Sequence, residues 1–335
     1  MKRLLSILIL ACTLSACEND GQVSTPINDS KPITFDMVET RAGIETADIE
    51  NNGFGVFAFV NQGAEGTSKS TTFVSLFGEA AKKVYKDDEG NWTYDNKEFW
   101  VANRIYHFYG VYPYNAQYTI TKDISGNPTG ISHTFTTPDA ANEDFVAAYT
   151  PIDSSQDTPE SVGMDFNHML SNVYFMVHYD TTGNNGDKFT LKEFSVSNIK
   201  KVGTLQFAYN MNGSWSVNQL QNMTFAWKPE QGVELKTELS LWKDGLMLIP
   251  QTIAPNTVNI RVKYTYVDKS VVDNQDIVAA PVEKVVDTFL PATTWKPGLS
   301  YTYKMTLHED DYISFKQIVV DLWGSPQQGG AIIIK

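Results

Sequence analysis

The sequence predicts an all-β protein built as two tandem antiparallel β-sandwiches, and three observations carry that reading. Nearly every apolar segment is short and has the period of a strand. Turn residues separate these segments at regular intervals, and long helical periodicity is missing from the body of the chain. At 335 residues, the chain is long enough to bury two cores.

In chain order, Phe54, Val56 and Ala58 alternate with Gly55, Phe57 and Phe59. Residues Phe73 to Val84 fit either a short helix or a strand. Val84-Tyr85 and Trp92-Thr93-Tyr94 flank Asp87-Asp88-Glu89-Gly90-Asn91, which reads as a hairpin. Ile105 to Tyr112 is aromatic and β-branched and stops at Pro113. Asn172 to Tyr179, Phe189 to Val196, Leu246 to Ile249, Val258 to Val267, Tyr301 to Leu307 and Ile313 to Trp323 read as further strands. Asn212-Gly213 marks a second hairpin, between Phe207-Ala208-Tyr209 and Trp215. The polar, proline-containing stretch Pro151 to Glu160 divides the chain into residues 34–158 and 159–335, the second ending in a terminal strand and tail.

The N-terminus carries its own message. Lys2 and Arg3 precede the apolar run Leu4 to Ala11, and Leu14-Ser15-Ala16-Cys17 follows. This order is that of a secretory signal, residues 1–16. The run is far shorter than the ~20 residues that span a bilayer. Leu-Ser-Ala-Cys resembles the lipobox of bacterial lipoproteins, which implies that Cys17 is lipidated. Several acyl chains at ~0.8 kcal/mol per buried methylene give a stable anchor, so tethering to a membrane is expected, and the lipoprotein resemblance implies the outer membrane or cell surface. Polar residues 17–33 are expected to be a tether.

With Cys12 in the signal and Cys17 acylated, the mature chain has no thiol left for an internal disulfide. Removing the signal leaves 24 basic against 39 acidic residues, a formal charge of −15. That balance argues against nucleic acid as a partner.

The chemistry-bearing residues are sparse. The histidines are His107, His133, His168, His178 and His308, and none stands in a His-Glu-x-x-His pattern. His107 and His178 lie inside apolar strands and read as structural imidazoles. There is no Gly-x-Ser-x-Gly elbow and no phosphate-binding glycine loop. Asp87, Glu89, Asn91, Asp95 and Glu98 have calcium-loop spacing, but Trp92 stands where the sharp turn needs glycine, so the hairpin is preferred. Glu309-Asp310-Asp311 reads as a solvated turn. Trp92, Trp215, Trp295 and Trp323 lie at strand ends, where rim packing competes with a sugar-platform reading. No enzyme, cofactor or metal is expected.

A series of phrases in order resembles the fimbrillin-like subunits of type V pili. They are Ile33-Thr34-Phe35, Thr40-Arg41-Ala42, Gly53 to Ala58, Tyr109 to Asn115, Phe166 to Val173, Leu248 to Gln251, and Trp295 to Gly298 leading into Tyr301-Thr302-Tyr303; Val320 to Trp323 closes the series. The resemblance implies sandwiches of transthyretin-like topology and a cell-surface fimbrium whose partners are other fimbrial subunits. It also implies processing by an arginine-directed protease that removes the first strand, followed by β-strand addition from a neighbouring subunit. Arg41, with Ala42 after it, is the natural cut, because it follows the first strand candidate, Pro32 to Val38. Arg104 sits amid apolar residues and is a poorer site. Ala331, Ile332, Ile333 and Ile334 form an apolar tail behind a glycine-containing break, and read either as the donor strand or as a last strand packed on its own domain. The competing functional reading is a monomeric surface lipoprotein that binds glycan or a host protein.

Overall fold

The computed structural model describes residues 31–38, 46–62, 70–114, 117–180, 187–209, 213–236, 238–267, 269–272, 275–308 and 310–323. The all-β class holds. The described residues form strands throughout, with one helix among them, Thr46–Asn52. That helix ends at Gly53, whose φ of +75° suits glycine and whose amide bonds the Ile49 carbonyl at 2.8 Å.

A seven-stranded antiparallel sheet is central to the first half. Its order is Asn167–His168, Val146–Asp153, Ile105–Tyr112, Phe54–Asn61, Lys82–Lys86 and Trp92–Thr93, with Phe73–Ser75 also on Phe54–Asn61. Phe54–Asn61 is buried on both faces along its whole length. One face, with Phe54, Val56 and Ala58, packs on Ile33, Phe35, Tyr94, Val162 and Phe166. The other, with Phe57 and Phe59, packs under Ile131, Leu205 and Phe207. The unbroken apolar run therefore reflects two covered faces rather than one. Gly110 belongs to this sheet because a Cβ there would sit 3.0 Å from the Phe166 ring.

The layer over Phe57 and Phe59 is a four-stranded sheet ordered Ser214–Val217, Val202–Ala208, Pro128–Thr136, Tyr118–Lys122. Two further sheets enclose the remaining core. One contains Ser171–Tyr179 and Leu299–Leu307, the other Lys188–Lys200, Asn259–Val267 and Val282–Phe289. Chain order and spatial grouping overlap here: Val162–Asp165, Val202–Ala208 and Ser214–Val217 lie beyond residue 158 yet pair with or pack on strands before it.

Several local expectations meet a different outcome. Phe73 to Val84 resolves as strand Phe73–Ser75 and the start of strand Lys82–Lys86. Ile313 to Trp323 is two short strands, Ile313–Phe315 and Val319–Leu322, both antiparallel to Leu299–Leu307. Among the described residues two pairings are parallel: Phe35–Val38 with Val162–Asp165, and Ser171–Tyr179 with Leu299–Leu307. More than a hundred residues separate each pair, which gives ample chain for the crossover that parallel strands require. Residues 31–33, expected as the end of a tether, are instead fixed in the fold, because Ile33 is fully buried and Pro32 bridges Phe99. Pro151, taken as boundary, lies inside Val146–Asp153. Asn167–His168 pairs only as far as Ala147 on that strand's outer side, so proline leaves no ladder bond broken there.

Candidate functional site

The strongest structural candidate is the groove that holds residues 31–38. Ile33 and Phe35 are buried, Met37 is half-buried, and Asp36 and Val38 face out, which is the alternation of a half-buried strand. Both edges of the segment are engaged. On one side Phe35–Val38 pairs in parallel with Val162–Asp165, extended by the Val162 amide bonding the Thr34 carbonyl at 2.8 Å. On the other, the Ile33 amide donates to the Glu98 carbonyl at 2.8 Å and the Trp100 amide to the Lys31 carbonyl at 3.1 Å. Side chains add to this frame: Thr34 Oγ1 donates to the Glu160 carbonyl at 2.6 Å, and Lys31 Nζ to that of Thr158 at 3.0 Å.

Tyr94 is the pivot of the groove. It is buried, its hydroxyl donates to the Ile33 carbonyl at 2.9 Å, and the Glu98 amide donates to it at 3.1 Å. Burial raises its phenol pKa, so it stays a neutral donor. Phe35 lies among the rings of Phe77, Tyr94 and Phe108, at centroid distances of 6.3, 5.5 and 5.6 Å. The segment is thus seated by main-chain bonds along both edges and by two side chains in sockets.

Cys17, Arg41, Ala42 and the tail Ala331 to Ile334 lie outside the described residues. Val38, three residues before Arg41, is 49% exposed. Arg104 is buried, with Nη1 donating to the Asn61 carbonyl at 3.4 Å, as a residue unsuited to cleavage.

The remaining candidates are absorbed by structure. Asp87 Oδ1 accepts the amides of Glu89 and Asn91 at 3.2 and 2.8 Å, and Tyr85 and Lys86 pair with Thr93 and Trp92, so the calcium-like spacing is a hairpin turn. Asp311 accepts from Tyr264 at 2.7 Å and from Lys284 at 2.9 Å, which ties its turn to the neighbouring sheet; the Lys284 bond leads in lowering its carboxyl pKa. His107 Nδ1 lies 2.6 Å from the Tyr149 hydroxyl, and burial pushes its pKa down to about 4. Among the described residues, no cluster of three or more His, Cys, Asp or Glu is placed to hold a metal ion.

Of the rim tryptophans, Trp295 is buried with Nε1 on the Tyr303 hydroxyl at 3.0 Å, and Trp215 Nε1 donates to the Met169 carbonyl at 2.9 Å. Trp92 packs on Phe54, and Trp323 stacks on His168 at 3.9 Å. His168 in turn bonds the buried Asp144 carboxylate. This His–Asp pair was not legible beforehand, because the two residues lie 24 positions apart with no motif between them.

The sequence profile of a family described as fimbrillin-like matches residues 40–323. The chain belongs to the fimbrillin-like family. It is therefore a structural protein and not an enzyme, a pilus-type adhesive subunit of a cell-surface fimbrium that assembles with other fimbrial subunits. Among solved structures, a fimbrial protein from Bacteroides vulgatus is similar in fold, with a TM-score of 0.65 at 15% identity over 87% of this chain and 99% of that one. Two proteins provisionally named for cell adhesion align more loosely. The one from Bacteroides ovatus has a TM-score of 0.48 and 12% identity over 88% of this chain and 98% of its own. The one from Bacteroides uniformis has 0.45 and 14% over 89% and 100%. No curated protein matches this fimbrillin-like sequence. Among the described residues, no helix is long and apolar enough to cross a membrane.

Proposed function

We propose that this fimbrillin-like subunit is exported as a lipoprotein, anchored to the outer membrane through Cys17, and made ready to polymerise by an arginine-directed protease cutting between Arg41 and Ala42. The cut frees residues 31–38, and a strand from another subunit then takes their place. One observation carries this reading: a strand that lies just ahead of Arg41 is seated on both edges and fills two sockets in the core. Its departure would leave the Glu98 carbonyl and the Trp100 and Val162 amides without their partners, and would uncover the places of Ile33 and Phe35. A buried backbone group without a partner costs about 1–3 kcal/mol. An emptied groove therefore has a strong drive to be refilled, and an edge that is otherwise a hazard becomes the assembly device.

On this reading two sandwiches divided near residue 158, the first completed by strands from beyond that point such as Val162–Asp165, stand behind the signal 1–16 and a tether that ends ahead of Lys31. The tail Ala331 to Ile334 is the segment offered to a neighbour. The test is to treat purified precursor with an arginine-specific protease and run the product on a gel without heating. High-mass ladders that collapse on heating are expected. A clean cut at Arg41 whose product forms no ladder alone and takes up no added donor strand, a peptide of residues 30–39 included, would overturn exchange and leave a monomeric surface lipoprotein.

A further inference from the structure

We infer that the groove under residues 31–38 selects a strand with a β-branched residue followed two positions later by an aromatic one, so that its proper occupant is the donor strand of a different subunit and not this chain's own tail. The inference rests on the exchange reading above and names the partner which that reading leaves open.

The shape of the second socket carries it. Phe35 is 3% exposed and meets three rings from three separate places in the chain, at interplanar angles of 65°, 54° and 75°. Such edge and tilted contacts are the favourable geometries for aromatic quadrupoles. The walls also hold one another. Phe77 and Tyr94 lie 5.6 Å apart at 68°, and the Glu98 amide still fixes the Tyr94 hydroxyl when the Ile33 carbonyl leaves. The box is therefore formed by the groove and not by its occupant. The first socket is different in kind: the Ile33 side chain is wholly buried in the apolar core of the first sheet, while its main chain bonds the Glu98 carbonyl and the Tyr94 hydroxyl.

The chain's own tail meets only half of this demand. Ile332 and Ile334 have the right two-residue spacing, but residues 324–335 contain no aromatic side chain. With Ile332 in the place of Ile33, Ile334 enters the aromatic box, leaves part of it empty and supplies no ring edge.

The experiment uses the full mature chain cut at Arg41 and fluorescent peptides read by polarisation. The probes are residues 30–39, that peptide with Phe35→Ile, tail residues 326–335, and the tail with Ile334→Phe. The expected result is a loss of about tenfold for Phe35→Ile and a gain of about tenfold for Ile334→Phe, the worth of one aromatic contact set. Equal binding by the Phe35→Ile peptide, or no gain from Ile334→Phe, would overturn aromatic selection and leave exchange standing. Failure of every peptide to enter the cut protein, residues 30–39 included, would overturn exchange itself and this inference with it.

Discussion

The Tyr94 hydroxyl donates to the backbone carbonyl of Ile33 across 61 residues of sequence, and the same oxygen accepts the Glu98 amide. One buried side chain thus couples the N-terminal strand to the wall of its groove. Tyr94→Phe keeps the ring that borders Phe35 but leaves the Glu98 amide and the Ile33 carbonyl each short of a partner. A loss of about 1–3 kcal/mol is expected in the uncut protein. Urea unfolding measures it, and an unchanged midpoint would show that the bond does not hold the strand.

Trp295 is 1% exposed, and its Nε1 donates to the buried Tyr303 hydroxyl at 3.0 Å. Trp295→Ala should cost about 3–5 kcal/mol, with Tyr303 losing its donor as well. A melting temperature equal to that of the parent would argue that the ring is not a core element.

How much of this was readable beforehand varies with the range of the interaction. Strand existence was legible wherever short apolar runs met turn residues, as at Ile105–Tyr112 and Asn259–Val267. The hairpin through Asp87 to Asn91 was legible because its pairing is local. Ile313 to Trp323 was misread as one strand because β-branched residues at both ends hide the break, a one-residue shift of register on Leu299–Leu307 between the Met305–Phe315 and Thr302–Val319 pairs. The parallel pairing of Phe35 with Val162, and the contact of Asp144 with His168, depend on chain segments whose approach no local pattern records. The groove was therefore predictable as a first strand followed by an arginine, while its two sockets were not.

His107 gives a prediction about pH. Its ring lies near-parallel to that of Tyr209 at 4.5 Å and bonds the Tyr149 hydroxyl through Nδ1, and burial lowers its pKa from 6.5 to about 4. The folded state holds the imidazole neutral, whereas the unfolded chain takes up a proton below about 6.5. This contribution to stability is complete above that value and is lost as pH falls towards about 4. The slope through that window should be about 1 kcal/mol per pH unit. His107→Phe, which keeps a ring against Tyr209, should show a shallower slope in chemical denaturation at pH 4.5 and 7. Parallel pH profiles for the two proteins would refute the assignment.

The anchor is tested separately. Cys17→Ala removes the thiol that lipidation requires, and the mutant should lose lipid label and leave the membrane fraction. The retention of unlabelled mutant through a high-salt wash would point to another attachment.

Assembly has two separable steps, and the two ends of the chain should fail at different ones. Arg41→Ala should leave a folded precursor that still contains residues 31–38 and never forms ladders. Ile332→Lys with Ile334→Lys should be cut normally yet polymerise poorly from its own tail, because both positions face one side of an extended strand and a charge cannot be seated among buried rings. Mixing decides between the two failures. The cut tail variant keeps an intact groove and should accept a donor from another subunit, whereas the uncut Arg41→Ala protein keeps its groove filled and should accept none. If both variants build ladders as fast as the parent, neither the cut at Arg41 nor the tail serves assembly.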